Sequence, residues 1–309
     1  MSLFGLFSGT FHPAFAEEVA RYLKVKVSSV SIENFPDGEV GVQVNENVRG
    51  KDVFVIQSIA RRPNHYLMEL LIMVDALKRA SARSIVAVLP YFPYARQDRK
   101  DKGRVPITAK LVADLLETAG VTRVLTMDLH TEQIQGFFNV PVDNLYARPL
   151  FVKALKAEKL KDLVVVSPDL GSNRMSRKFA EDLGVDIAIV DKRRVNSKQV
   201  EVNAVIGSVK GKTALLIDDI CSTGGTLEIA AKICKKEGAK SVIAVISHGL
   251  FVGEKLPSGI DRFFVTNSVP QSPAIKGQKV KEVSIASLFG EAIDCVVKAK
   301  SISSLFRLK

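Results

Sequence analysis

The sequence predicts an α/β protein made of two duplicated units, each a mostly parallel sheet with helices on both faces. Three observations carry this. Short aliphatic runs at 53–56, 85–89, 124–127, 163–166, 187–190, 214–217 and 242–246 are too short for helices. Most of them lack in/out alternation, as parallel strands covered on both faces do. Helical patterns at 67–79, 108–118, 148–155, 173–183 and 226–237 alternate with these runs, the signature of open parallel sheets. Finally, Val48-Arg49-Gly50-Lys51 precedes the run 53–56, and Val209-Lys210-Gly211-Lys212 precedes the run 214–217, 161 positions later.

The chain starts with a short run at 4–7, stopped by Ser8-Gly9-Thr10, and a helical stretch at 13–23. Downstream of the repeated turn, Ala82-Arg83-Ser84-Ile85-Val86-Ala87-Val88-Leu89 matches Ala239-Lys240-Ser241-Val242-Ile243-Ala244-Val245-Ile246, now offset by 157. The smaller offset predicts a shorter loop after the strand in the second copy. Two domains follow, 1–145 and 146–309.

With 309 residues, 47% of them hydrophobic, the chain has ample core for two domains. Lys plus Arg outnumber Asp plus Glu by 44 to 33, a formal net charge of +11. This suits anionic partners without choosing between nucleic acid, membrane and small phosphates. Cys221, Cys234 and Cys295 show no CxxC spacing, which argues against a disulfide framework or zinc knuckle. The start lacks a basic region followed by a long apolar core, and no segment approaches 18 uninterrupted apolar residues. The expectation is a soluble, cytoplasmic protein.

The chemistry concentrates at 212–232, where an aliphatic run ends in Asp218-Asp219, followed by Ile220-Cys221-Ser222-Thr223-Gly224-Gly225-Thr226 and an amphipathic helical pattern. Glycines let the backbone turn tightly with its N–H groups uncovered, and Thr226 is placed to cap the helix. A helix N-terminus under such a loop binds phosphate. The two carboxylates repel phosphate but accept hydrogen bonds from sugar hydroxyls, so the stretch reads as a ribose 5-phosphate site. No Gly-Lys-Ser/Thr follows, so it is not a nucleoside triphosphate loop of the Walker kind. In the first copy the acid pair is replaced by Gln57-Ser58, so that copy has lost this chemistry.

A second ligand is suggested by Tyr91–Pro106, which carries five basic residues between Arg96 and Arg104 against two acids, with aromatic residues before them. Such a loop is either solvated surface or a flap whose arginines fork onto a nucleotide triphosphate beside a stacking ring. Single-stranded nucleic acid uses the same residue types, but along a stripe rather than in one loop. Asp128-Leu129-His130 and Ser167-Pro168-Asp169 close strands; His130 and Asp169 are either structural or ligands of Mg²⁺ beside a polyphosphate. Asp191-Lys192-Arg193-Arg194 closes another strand, and its cations suit charge on a transferring phosphoryl group.

Taken together, Phe35-Pro36-Asp37-Gly38-Glu39, Leu67-Met68-Glu69-Leu70-Leu71, Tyr94-Ala95-Arg96-Gln97-Asp98-Arg99-Lys100, Arg104-Val105-Pro106-Ile107-Thr108-Ala109-Lys110, Asp128-Leu129-His130, Gln133-Ile134-Gln135-Gly136-Phe137-Phe138, Asp191-Lys192-Arg193-Arg194 and the 218–226 loop resemble the ribose-phosphate diphosphokinase family over nearly the whole chain. The resemblance implies two phosphoribosyltransferase-like domains and transfer of the diphosphoryl group of ATP to ribose 5-phosphate, giving 5-phosphoribosyl 1-diphosphate and AMP. It implies ATP-binding by Phe35, Asp37, Gly38 and Glu39 and by Arg96, Gln97 and Arg99. Mg²⁺ falls to His130 and Asp169, and catalysis to Lys192 and Arg194. Ribose 5-phosphate falls to Arg194, Asp218, Asp219, Ser222, Thr223, Gly224, Gly225 and Thr226. Relatives of the bacterial and animal type are homo-hexamers that need phosphate and are inhibited by ADP; Arg49, Ser81, Lys102, Arg104, Ser301 and Ser303 resemble that regulatory site. Neither nucleic acid nor membrane is an expected partner. The chain departs from the family at Ser222, where many relatives have an acid, at Leu170-Gly171-Ser172-Asn173, where they have a Gly-Gly pair, and at His65-Tyr66. Two other readings are a phosphoribosyltransferase that consumes the sugar diphosphate, and a catalytically weak relative that regulates an active enzyme.

Overall fold

The computed structural model describes residues 4–169, 171–194, 200–277 and 279–306, with side chains at all of these but 191–194, 200–204, 304 and 306. The chain forms two compact units. In the first, β1 (Phe4–Ser8), β4 (Asp52–Ile56), β5 (Ser84–Leu89), β6 (Arg123–Met127) and β7 (Val142–Leu145) lie side by side in that order, all parallel. Helices α1 (Pro13–Leu23), α2 (Pro63–Arg79) and α3 (Thr108–Ala119) connect them, and β2 (Val30–Asn34) pairs with β3 (Val40–Val44) as a separate antiparallel hairpin.

The second unit begins with α4 (Arg148–Ala157) and repeats the plan with β8 (Leu163–Ser167), α5 (Asn173–Leu183), β9 (Asp186–Arg194), β10 (Val200–Ile206), β11 (Thr213–Cys221), α6 (Gly225–Lys236), β12 (Ser241–Gly249), β13 (Arg262–Thr266) and β14 (Val280–Val283). Its strands β8-β11-β12-β13-β14 stand in the same order as β1-β4-β5-β6-β7. Two differences mark the copies. Here β9 and β10, the counterparts of β2 and β3, extend the sheet beside β8. Residues 250–261 join β12 to β13 without the helix that α3 supplies in the first copy.

Both faces of each sheet are covered, which is why the strands read as continuous apolar runs. Val53, Phe54, Val55 and Ile56 are all buried although successive side chains point to opposite faces. Val53 and Val55 pack in one core with Leu70, Met73 and Leu77 of α2 and Val112 and Leu116 of α3. On α1, Phe15 meets Phe289 of α7 (Ala286–Val297) edge to face at 5.7 Å. Burying a ring of this size stabilises by about 1.5–3 kcal/mol.

Several expectations are revised. The expected single boundary near residue 145 does not hold for the tail: the first unit runs to Tyr146, takes back Ser268–Pro270 and resumes at Ser284. Its reason is packing: α7 buries seven residues, and Ser284 Oγ donates to Glu18 Oε2 at 2.8 Å. The offset between the copies shrinks in the helix rather than the loop, since α2 has 17 residues and α6 has 12. Pro63, whose fixed φ suits a first turn, starts α2 about one turn early. Thr226 does not cap α6: Gly224 occupies that position, and Thr226 already lies inside the first turn. Residues 191–194 do not close a strand but continue β9, paired with β10 through Lys192↔Val202 and Arg194↔Val200.

Candidate active site

Asp218 and Asp219 lie within β11 rather than beyond it, because β12 continues to pair with β11 as far as Cys221↔Gly249. On its other side, β8 stops pairing at Leu216. The acids therefore stand on a fixed strand with one edge uncovered. The turn after them is short, Ser222 to Gly224, and is held from behind: Leu250 N donates to Cys221 O at 2.9 Å and Val252 N to Ser222 O at 2.9 Å. Gly224 has φ +83, and a Cβ there would collide with the Pro257 ring. Only glycine fits, and it launches α6 with the amides of its first turn on the Ser222–Thr226 side.

Asp169 follows β8. Its Oδ1 accepts from Ser172 N at 3.0 Å. The Ser172 hydroxyl stands between two acids, 3.1 Å from Asp169 Oδ1 and 3.2 Å from Asp218 Oδ1. Burial, then the charges of Asp219 and Asp169, push the Asp218 carboxyl up to about 8. Ser172 is not among the expected site residues, although its place in the altered 170–173 loop is the signal that could have found it; Leu170 lies outside the described residues. Cys221 is buried beside these acids, and burial with the Asp218 and Glu228 charges pushes its thiol up to about 12, so it is not a nucleophile. The side chains of Lys192 and Arg194 lie outside the described ones.

Among the described residues no three His, Cys, Asp or Glu side chains converge into a ready-made metal cage. Magnesium does not need one, since it keeps several waters and takes one or two carboxylates plus substrate phosphate oxygens. The crowded acids Asp169, Asp218 and Asp219 fit that ion: all are oxygen donors, and the raised proton affinity of Asp218 reports negative charge that a cation would relieve.

In the first unit, Phe35, Asp37, Gly38 and Glu39 form the tip of the β2–β3 hairpin. Phe35 N donates to Glu39 O at 2.8 Å and Glu39 N to Asp37 Oδ1 at 3.1 Å, leaving the Phe35 ring exposed above Gly41. The loop after β5 keeps Arg96, Gln97 and Arg99 exposed. Gln97 also closes that loop on itself: its O accepts from Ala109 N at 3.1 Å and its Oε1 from Thr108 Oγ1 at 2.5 Å. His130 is exposed at the end of β6, just after Asp128, whose φ of +42 is unusual for a non-glycine residue. Thr131 Oγ1 donates to Asp98 Oδ2 in the loop at 2.8 Å.

The six residues of the expected regulatory site fall into three pairs. Arg49 and Ser81 flank one turn, in which Gly50 N donates to Ser81 O at 2.9 Å. Lys102 and Arg104 are exposed on the loop after β5. Ser303 N donates to Ser301 Oγ at 3.2 Å, and Ser303 lines a cleft of about 450 Å³ with Arg123, Asp143, Cys295 and Lys300.

A duplicated α/β unit that gathers acids and amide-rich turns at the C-terminal ends of its strands defines a class, the α/β proteins that bind ligands at strand ends. Comparison with known proteins narrows it. Residues 4–120 match the model for the N-terminal domain of ribose phosphate pyrophosphokinase, and residues 192–307 that for the phosphoribosyl synthetase-associated domain. The chain is 50% identical to a ribose-phosphate pyrophosphokinase of Wolinella succinogenes, covering 97% of this chain and 98% of that one. It is 50% identical to the Helicobacter hepaticus protein of the same name, covering 98% and 99%. The crystal structure of phosphoribosylpyrophosphate synthetase from Mycobacterium smegmatis matches with a TM-score of 0.89 at 42% identity, covering 96% of this chain and all of that one. The chain belongs to the ribose-phosphate pyrophosphokinase family.

Proposed function

We propose that this chain transfers the β,γ-diphosphoryl group of ATP to the anomeric hydroxyl of ribose 5-phosphate, giving 5-phosphoribosyl 1-diphosphate and AMP. The observation that carries the reading is the Asp169–Ser172–Asp218 cluster beside the glycine turn of β11–α6, in a chain of this family. Acids suit the sugar hydroxyls and uncovered amides suit the 5-phosphate.

Asp218 and Asp219 hold the diol, while Ser222, Thr223, Gly224, Gly225 and Thr226 cradle the phosphate; the family resemblance adds Arg194 to the residues that bind ribose 5-phosphate. Phe35 stacks the base, and Asp37, Gly38 and Glu39 read its edge from the hairpin tip. Arg96, Gln97 and Arg99 hold the polyphosphate from the loop. The sugar oxygen attacks the β-phosphorus, the bond from that phosphorus to the α,β-bridging oxygen breaks, and AMP leaves. The hydroxyl proton departs to solvent. Lys192 and Arg194 stabilise the charge that develops on the moving group, and such electrostatic stabilisation supplies most of the rate in displacements of this kind. His130 and Asp169 are the residues that would hold magnesium, which would supply charge neutralisation for the diphosphoryl group. The regulatory pairs Arg49/Ser81, Lys102/Arg104 and Ser301/Ser303 answer to phosphate and ADP in a cytoplasmic homo-hexamer, an assignment supported by the family resemblance.

The test is AMP release from Mg-ATP in phosphate buffer. AMP that appears only when ribose 5-phosphate is added supports the reading. Absence of AMP, with consumption of 5-phosphoribosyl 1-diphosphate when a nucleobase is supplied, would make the chain a phosphoribosyltransferase and sink it.

A further inference from the structure

Asp98 has no place in the proposed chemistry. It is one of two acids, with Asp101, in a loop whose cations, Arg96, Arg99, Lys100, Lys102 and Arg104, suit a polyphosphate, and by charge alone it works against them. Its position explains it. Gln97 fastens the base of the loop through Ala109 N and the Thr108 hydroxyl, so residues 98–107 leave from and return to one point. Asp98 is the first residue inside that loop, and its Oδ2 accepts from Thr131 Oγ1 at 2.8 Å.

Thr131 follows His130 directly. On the other side of His130, Leu129 N donates to Asn144 Oδ1 of β7 at 3.1 Å. Before that, Asp128 holds a left-handed φ of +42 while its amide donates to Leu145 O at 2.9 Å. A left-handed conformation, disfavoured for a side-chain-bearing residue, persists where its surroundings fix it. His130 is therefore set between two clamped neighbours, one held by the sheet and the other by the loop.

We propose that Asp98 is a positioning residue that, through Thr131, ties the cationic loop to the strand end bearing His130, so that both engage one nucleotide–metal complex together. The inference rests on the preceding reading, in which the loop holds ATP and His130 contributes to the metal. A hydrogen bond to a carboxylate is among the stronger kinds, and losing it leaves loop and strand end to be ordered separately when nucleotide binds.

Four variants of the full chain test this: Thr131→Val, which keeps the shape and removes the donor, Thr131→Ser, which keeps the donor, Asp98→Ala, and the double variant Thr131→Val/Asp98→Ala. Thr131→Val and Asp98→Ala should each lower kcat/KM for Mg-ATP about tenfold, with KM for ribose 5-phosphate moving less than about twofold. Thr131→Ser should retain the parent values, and the double variant should lose no more than either single one. The initial rate of tryptic cleavage between Arg99 and Arg104 in the unliganded chain should rise severalfold in Thr131→Val, which leaves the cleaved sequence intact. Parent-like kinetics in Thr131→Val, or losses that multiply in the double variant, would overturn the tie. Unchanged cleavage in Thr131→Val would overturn it too, even if the parent chain made no AMP, so the failure of this inference stays distinct from that of the function.

Discussion

At the ligand end of the first sheet, the chain's own side chains use up the polar groups. Glu69 is fully buried; its carboxyl accepts from Thr10 N at 2.7 Å, from Thr10 Oγ1 at 2.5 Å and from Gln57 Nε2 at 2.6 Å. At the corresponding end of the second sheet, Asp218 replaces Gln57, and Asp169 follows β8 where Gly9-Thr10 follows β1. One Ser172 hydroxyl lies within reach of both acids, Asp219 N donates to Asp218 Oδ1 at 3.1 Å, and burial, then the charges of Asp219 and Asp169, raise the proton affinity of Asp218. The same fold thus carries one buried carboxyl met by three donors in one copy and three neighbouring acids in the other. Like charges gathered at a strand end are costly unless a ligand or cation offsets them, which supports the reading of the second copy as the one that takes a ligand.

Converting the second copy toward the first should have the largest effect. Asp218→Gln installs the residue of the silent copy, and kcat/KM for ribose 5-phosphate should fall by about 10²–10³, while KM for ATP stays within about twofold. Equal loss toward both substrates would mean that the sugar site is misassigned. The same variant reports on pH. Asp218 binds its proton more tightly folded than unfolded, so its contribution to stability is complete below its ordinary value of 3.8 and is lost as pH rises through about 8. Urea midpoints of the unliganded protein should fall across that window, and Asp218→Gln should flatten the fall. Parallel slopes in both proteins would place the titration elsewhere.

Opening the first copy should come next. Glu69→Ala strips the acceptor from the Thr10 amide, the Thr10 hydroxyl and the Gln57 amide at once, and should lower unfolding stability by about 3–5 kcal/mol. Urea denaturation measures it. Sulfate should restore more stability to the variant than to the parent, because the vacated space keeps three donors. A loss under about 1 kcal/mol would show that water satisfies those donors and that this network is not what separates the copies.

The sequence exposes this contrast only in part. The strands at 53–56, 85–89, 214–217 and 242–246 were legible because burial on both faces leaves no polar positions to blur them. By contrast, β7 and β14 read Val-Asp-Asn-Leu and Val-Lys-Glu-Val, since edge strands are half solvated and carry little apolar signal. The β2–β3 hairpin went unmarked although Asp37-Gly38 is a turn signal flanked by alternating residues. Helix α7 does carry a polar face at helical spacing, Ser287, Glu291 and Asp294, but its docking on α1 joins Phe15 to Phe289, 274 positions apart, which spacing along the chain does not encode. The site was legible as residue types, but Ser172 between two acids and Thr131 on Asp98 depend on where loops meet, which spacing does not encode.

The smallest effect tests the duplication itself. The repeated Val-Arg/Lys-Gly-Lys turn is the same object in both copies: Val48 and Val209 are buried, and Gly50 and Gly211 have φ +70 and +71. Lys51 N donates to Val48 O at 3.0 Å and Lys212 N to Val209 O at 3.1 Å. Gly50 N reaches Ser81 O at 2.9 Å, and Gly211 N reaches Gly238 O at 2.8 Å. Neither glycine has a heavy atom within 4 Å of a would-be Cβ, so the substitution meets only the backbone penalty of a left-handed residue. Gly50→Ala and Gly211→Ala should therefore each lower stability by about 1 kcal/mol, read as the shift in urea midpoint. If one loss exceeds the other more than twofold, the copies share a backbone shape but not its energetics. Matched losses would show that this turn kept both its shape and its energetics while the strand ends, where Gln57 and Asp218 part company, diverged.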